Sequence, residues 1–212
     1  MFITLEGGEG AGKSTQAHAI AERVKGARRP VLLTREPGGT PFGEVARSIV
    51  LRHSIAEGAE PFRLDDTAEL LIFAAARAQH VDELIRPSLD QGIVVICDRF
   101  TDSTIAYQGY ARGMSLVRIS QSIELATNGL TPDLTVLLDL PVERGLARRY
   151  GDLGHTLSAD LFERETQEFH QRVRNGFLTL AAAEPNRFLV LDATQPPAII
   201  TTRIWERIEP LL

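Results

Sequence analysis

A lysine in a glycine-rich loop is the residue of this sequence best placed to do chemistry. Gly7, Gly8, Glu9, Gly10, Ala11, Gly12, Lys13 and Ser14 fit the pattern G-x-x-x-x-G-K-[ST], with Thr15 next in line. Glycines at these positions let several backbone N–H groups converge on phosphate oxygens at the start of a helix. In such a loop Lys13 would reach the β- and γ-phosphates of a nucleotide, and the Ser14 hydroxyl would ligate Mg²⁺. The choice of lysine is informative in itself. Of the 23 basic residues only Lys13 and Lys25 are lysine and the rest are arginine. A compact ammonium does at a phosphate what a planar guanidinium fork does not.

A phosphate-binding loop serves kinases, GTPases, ATPases and motors alike, so the rest of the chain must choose among them. No N-K-x-D stretch for guanine is present, and no D-x-x-G follows an apolar run, which argues against a GTPase switch. Two other apolar runs end on arginine beside a carboxylate, in Thr34-Arg35-Glu36-Pro37-Gly38-Gly39-Thr40 and Asp98-Arg99-Phe100. Arginine grips phosphate bidentately and a glutamate accepts from a hydroxyl, so these pairs suit a phosphate and a sugar. The competing reading of Arg35–Glu36 is a loop ion pair beside a Pro-Gly-Gly turn.

The elements that position these residues follow from patterning. Runs Phe2–Leu5, Pro30–Thr34, Ile93–Cys97, Leu134–Asp139 and Phe188–Leu191 are continuously apolar, as strands covered on both faces are. Helical stretches lie between them, at about 13–26, 41–52, 66–90, 115–128, 141–150, 160–183 and 197–209. The alternation predicts a doubly wound α/β domain over 1–212, a parallel five-stranded sheet flanked by helices with ligands at the strands' carboxyl ends. Residues Leu70 to Ala76 make the 66–90 helix apolar all round. Such a helix is either buried in the core or pairs with a second copy in a homodimer.

Bulk properties narrow the partners. A net charge of −5 leaves no excess basic surface for nucleic acid or a membrane. The sequence shows neither a targeting segment nor an apolar stretch of membrane-span length, so the expected location is cytoplasmic. Cys97, the single cysteine, lies in an apolar run and reads as a buried strand thiol. Trp205 reads as packing of the last helix against the sheet, and none of the five histidines lies in a motif or shows metal-ligand spacing.

Six segments in order resemble the thymidylate kinase family, bacterial type, across essentially the whole chain. They are GGEGAGKST (7–15), TREPGGT (34–40), Phe73 and Arg77 in LLIFAAAR, DRFTDSTIAYQG (98–109), TPDLTVLLDL (131–140) and DATQP (192–196). The resemblance implies phosphorylation of dTMP to dTDP with Mg-ATP. It implies that Phe73 stacks on thymine while Arg77 bonds its carbonyl edge. Arg47 and Arg99 would hold the acceptor phosphate, and Ser103, Thr104 and Gln108 would line the base pocket. Tyr107 would sit against the sugar's 2′ carbon, Glu9 near its 3′-hydroxyl, and Asp98 beside Mg²⁺ or the acceptor phosphate. Asp192–Pro196 would cover the adenine. Without the family, Phe73 and Arg77 read as a core aromatic and a solvated arginine, and Ser103 and Thr104 as helix N-caps.

The family's mobile lid maps to about 148–161, a polar stretch punctuated by Gly151 and Gly154. Leu161 stands where the family commonly carries arginine in D-R-x-E, while Asp160 and Glu163 remain. Lid charge then falls to Arg148 or Arg149, or to Arg164 just beyond. The alternatives are a kinase of this fold acting on another monophosphate or a deoxynucleoside, and a slowly hydrolysing nucleotide switch.

Overall fold

Both faces of the sheet are covered, which is why its strands read as apolar runs without polar alternation. The computed structural model describes residues 1–52, 64–150 and 165–212. In chain order they form β1 (Phe2–Glu6), α1 (Lys13–Gly26), β2 (Val31–Arg35), α2 (Pro41–Arg52), α3 (Asp66–His80), α4 (Arg86–Asp90) and β3 (Val94–Asp98). There follow α5 (Thr101–Thr104), α6 (Leu116–Thr127), β4 (Leu134–Asp139), α7 (Val142–Tyr150), α8 (Gln167–Ala183), β5 (Phe188–Asp192) and α9 (Pro197–Ile208). The strands pair in parallel in the order β2-β3-β1-β4-β5, the doubly wound five-stranded architecture expected from the sequence.

Strand periodicity sorts the side chains to two faces. Ile3, Leu5, Ile96, Val136 and Leu138 pack against Ile20 and Val24 of α1 and Ile200 and Ile204 of α9. On the other face Phe2, Val95 and Cys97 meet Val81, Ile85 and Phe100. Leu137, also there, meets Phe169, Val173 and Phe177 of α8. Cys97 is fully buried, its thiol donating to the Arg99 carbonyl, and burial pushes its pKa well up. Trp205 packs on the α1/α9 side of the core, under Arg23, as expected.

Each strand ends on a charged residue, Glu6, Arg35, Asp98, Asp139 and Asp192, and pairing brings Asp98 beside Leu5 and Leu137 beside Glu6. The sheet therefore presents one charged edge with the glycine loop at its centre.

Three helices depart from expectation. The 66–90 helix runs through a π-helical turn at Val81–Ile85 between α3 and α4. It is not buried all round: Leu70, Ala76, Arg77 and His80 face inward, while Leu71 is 59% exposed. The helix expected from 160 starts at Gln167, where Thr166 Oγ1 accepts from the Phe169 N–H as N-cap. Residues 101–111, outside the helical stretches expected from the sequence, form α5 and a π-helical continuation, Ile105–Ala111. Ser103 and Thr104 lie inside that helix and are not its caps. No described helix is long and apolar enough to cross a membrane.

Candidate active site

The glycine loop leaves β1 and delivers Lys13 and Ser14 as the first residues of α1, so the helix N-terminus faces a cavity. Gly10 has φ +66°, and a Cβ there would collide with the Gly145 carbonyl of α7, so the loop can press on that helix only without a side chain. Lys13 Nζ donates to the Gly7 and Gly8 carbonyls at 3.1 and 2.8 Å. Burial pushes its pKa down to about 8, against the upward pull of Glu9, Asp98 and Glu6. Ser14 Oγ donates to Asp98 Oδ2 at 2.5 Å across the β1–β3 step. A hydroxyl beside a carboxylate at the mouth of a phosphate cavity is the hard-oxygen donor set that Mg²⁺ takes. Among the described residues no group of three or more His, Cys, Asp or Glu could hold a metal by itself.

Two cavities meet at the charged edge. The first is lined by Glu9, Gly10, Ala11, Gly12, Lys13, Ser14 and Thr15 with Asp98, Arg35 and Arg148. The second is lined by Phe73, Arg77, Ser103, Thr104, Tyr107 and Gln108 with Pro37, Leu51 and Phe100. Glu9, Glu36, Arg47, Arg99 and Arg149 line both. The described site residues expected from the sequence line these cavities, apart from Gly7 and Gly8, which turn the loop beneath Lys13, and Asp192–Pro196.

Glu9 and Arg99 stand at the junction. Arg99 Nη2 donates to Glu9 Oε1 at 2.6 Å and to the Tyr107 hydroxyl, and its Nη1 donates to the Gly7 carbonyl and Ser103 Oγ. The Tyr107 hydroxyl also donates to Glu9 Oε1 at 3.0 Å. Burial alone would raise the Glu9 pKa, but the charges of Arg99 and Lys13 hold it at about 2. Arg99 is itself held well above the ordinary guanidinium range by Tyr107 and Glu9, in spite of burial.

Around the second cavity, Arg47 Nη1 donates to the Pro37 carbonyl at 3.0 Å. Arg35 and Glu36 do not pair with each other. Arg35 turns outward to Glu44, and Glu36 turns inward, accepting from Arg77 Nε at 2.8 Å. Arg77 is 4% exposed and also donates to Thr104 Oγ1 and the Phe100 carbonyl. It is not the solvated arginine that an isolated reading gives. Gln108 Nε2 donates to Glu69 Oε1, which Arg112 also holds.

Some residues of this site carried no sequence motif. Glu6, fully buried, accepts from the Phe100 N–H at 2.8 Å and Ser103 Oγ at 2.6 Å. Burial, aided by Asp102, raises its pKa to about 7. Its place at the end of β1 was the one available signal. His80 is buried between Thr34 and Glu36. Where the lid is expected to begin, Arg148 Nη1 donates to the Ala193 carbonyl at 3.0 Å, tying α7 to the segment expected to cover adenine. Leu161, Asp160, Glu163 and the rest of the expected lid from Gly151 lie outside the described residues.

The family model for thymidylate kinase matches residues 5–204. A thymidylate kinase of Pseudomonas fluorescens (strain SBW25) is 52% identical over 214 residues, covering all of this chain and 96% of that protein. One from Synechococcus sp. (strain JA-2-3B'a(2-13)) is 50% identical over 212 residues, with the same coverage. The crystal structure of thymidylate kinase from Ehrlichia chaffeensis superposes with a TM-score of 0.74 at 36% identity, covering 98% of each chain. With the glycine loop, the twin cavities and these likenesses in place, the chain belongs to the thymidylate kinase family.

Proposed function

We propose that this chain transfers the γ-phosphoryl group of ATP to dTMP, giving ADP and dTDP, in the supply of dTTP. One observation carries the reading: a phosphate cavity at a helix N-terminus opens into a second cavity, lined by an aromatic ring and polar groups, through a junction of Glu9, Arg47, Arg99 and Arg149. A donor phosphate and an acceptor phosphate would meet there.

Gly7 to Thr15 hold the donor phosphates, with Lys13 on the β- and γ-phosphates. Ser14 and Asp98 hold Mg²⁺, which shields phosphate charge when bound. Arg47 and Arg99 grip the acceptor phosphate, and Arg149, with Arg148 behind it, brings positive charge to the transferring group. Phe73 stacks on thymine, Arg77 meets its carbonyl edge, and Ser103, Thr104 and Gln108 complete the pocket. Tyr107 packs on the sugar at its 2′ carbon, and the ionised Glu9 accepts from its 3′-hydroxyl. Both Glu36 oxygens are engaged by the protein, so Glu36 acts by holding Arg77 and leaves the sugar to Glu9. The work is positioning and charge stabilisation, which phosphoryl transfer mainly needs.

The same reading treats 1–212 as one cytoplasmic kinase domain with a lid over 148–161. It pairs two copies through the α2–α3–α6 face, where Phe42, Val45, Leu71, Val117 and Leu125 are exposed apolar side chains. Sedimentation velocity at micromolar concentration tests that pairing.

ADP formation from Mg-ATP, measured over dTMP, dUMP, dCMP, dAMP, dGMP and UMP, tests the reaction. Turnover should be fastest with dTMP and should vanish in Lys13→Ala while circular dichroism stays native. Preference for another monophosphate, or ADP release without an acceptor, would overturn it.

A further inference from the structure

His80 belongs to no motif, lines neither cavity, and yet is the most buried member of a polar chain that ends in the base pocket. Its exposure is 1%, with Glu36 at 6%, Arg77 at 4% and Thr34 at 8%. His80 Nε2 lies 2.7 Å from Thr34 Oγ1, and its Nδ1 lies 3.0 Å from Glu36 Oε1. Glu36 Oε2 accepts from Arg77 Nε at 2.8 Å. Arg77 Nη2 is taken up by Thr104 Oγ1 and the Phe100 carbonyl at 3.0 and 3.2 Å.

The donor and acceptor roles follow from chemistry. Glu36 is an ionised carboxylate whose pKa the Arg77 charge pulls below the usual value in spite of burial. An ionised carboxylate only accepts, so the imidazole Nδ1 carries the proton toward it. At Nε2 the ring meets the Thr34 hydroxyl, which can donate or accept there. Each Glu36 oxygen thereby has its own donor, one from His80 and one from Arg77, and the carboxylate plane cannot turn. Arg77 is fixed in turn at Nε and Nη2, which leaves Nη1, on a residue lining the pocket, without a protein acceptor among the described residues.

The surroundings of His80 are shaped to the ring. Gly39 has φ +78°, and a Cβ there would lie 2.5 Å from His80 Nε2 and 2.6 Å from Thr34 Oγ1. Only glycine lets the Pro37–Gly39 loop close over this hydrogen bond. The π-helical turn begins at the next residue, Val81, and such turns are frequent at functional sites.

We propose that His80 is a positioning residue for acceptor recognition, acting through Glu36 to aim the Nη1 edge of Arg77 at the base. This rests on the dTMP reading of the cavity. The essential group is the Nδ1 donor, and the Nε2 bond to Thr34 only steadies the ring.

Two variants separate those groups. His80→Asn keeps an N–H donor at the Nδ1 position and loses the reach to Thr34. His80→Gln keeps a polar group at the Nε2 position and loses the donor to Glu36. With the full-length enzyme, His80→Gln should raise KM for dTMP by about tenfold, the loss of one charge-assisted hydrogen bond. Its kcat and its KM for ATP should stay within about threefold. His80→Asn should keep KM for dTMP within about threefold of the parent, even at a similarly lowered melting temperature. In a Glu36→Gln background His80→Gln should add little, because the two act in one chain. If the two His80 variants raise KM for dTMP equally, or both leave it unchanged, His80 is structural only. If the parent does not use dTMP, or Arg77→Ala leaves its KM unaltered, the reading of the pocket fails instead, and that is seen before the His80 variants are compared.

Discussion

Arg99 and Glu9 form an ion pair of 2.6 Å between the turn after β3 and the glycine loop after β1, with each side chain 19% exposed. The pair locks together the two loops that would hold the two phosphates in the proposed reaction. Arg99 adopts it from a left-handed backbone, φ +72°, which non-glycine residues seldom take. Such a conformation costs about 1–3 kcal/mol and persists where surrounding contacts impose it.

Two substitutions at this position separate charge from strain. Arg99→Ala and Arg99→Gly both remove the guanidinium, and each should lower kcat by about a hundredfold or more, the scale of losing a preorganised charge. Glycine relieves the left-handed strain, so Arg99→Gly should be about 1 kcal/mol more stable than Arg99→Ala in urea unfolding. A kcat within tenfold of the parent in either variant would remove Arg99 from the site.

Glu6 gives the fold a pH signature. Burial first, then Asp102, raises its carboxyl from 4.5 in the unfolded chain to about 7. The folded state therefore holds this proton more tightly. The stabilisation is complete below pH 4.5 and is lost as pH rises to about 7. The shift corresponds to roughly 3 kcal/mol. Glu6→Gln still offers a carbonyl oxygen to the Phe100 N–H but cannot ionise. Between pH 4.5 and 7.5 the parent should lose about 3 kcal/mol more unfolding free energy than Glu6→Gln does. Parallel stability profiles would mean that Glu6 titrates normally.

These two residues show what the sequence did and did not display. Strands and the phosphate loop were legible because their signals are local: apolar runs of strand length, and a spaced glycine pattern. The helix at 101–111 was not, because the carboxylate holding its first turn, Glu6, lies 94 residues away from its partner Phe100. Near Thr101 only Ser103 and Thr104 read as caps, and they lie inside the helix, not at its start. Arg35 and Glu36 invited pairing by adjacency, yet neighbours on an extended chain point to opposite sides. One accordingly meets Glu44 outside and the other meets Arg77 and His80 inside. Cavity membership was legible mainly through the family resemblance. The groups that brace those residues, Glu6, Glu69 and His80, belong to tertiary contacts that no spacing reveals.

Tyr107 combines a core role with a pocket role, which changes how it should be tested. Its ring stands edge-on to Phe169 and Phe177, with centroids at 6.1 and 6.3 Å, while its hydroxyl meets Glu9 and Arg99. Tyr107→Ala should cost about 3 kcal/mol or more of stability by opening a cavity. It should also relax discrimination against a ribose 2′-hydroxyl. Tyr107→Phe keeps the ring and should keep the deoxyribose preference. If Tyr107→Ala retains the parent's ratio of kcat/KM for dTMP over its ribonucleotide counterpart, the ring does not police the sugar.

In the proposed reaction, the arginine that would meet the transferring phosphate can be chosen from two successive residues of α7. Arg148 is anchored, its Nη1 donating to the Ala193 carbonyl after β5, and it lines only the donor cavity. Arg149 points about 100° away around the helix, lines both cavities and lowers the pKa of Glu9 by its charge. It therefore stands where the two phosphates would meet in the proposed reaction. Delivered charge of this kind is worth about 10³–10⁵ in kcat. Arg149→Ala should lower kcat by about a thousandfold and leave KM for both nucleotides within about threefold, the pattern of a contact made only in the transition state. Arg148→Ala should instead raise KM for ATP by loosening the Ala193 segment, with a smaller fall in kcat. Steady-state kinetics with dTMP and ATP varied in turn decide between them. If Arg149→Ala retains kcat within tenfold, the positive charge at the transfer point comes from Lys13, Arg99 and Mg²⁺ without help from α7.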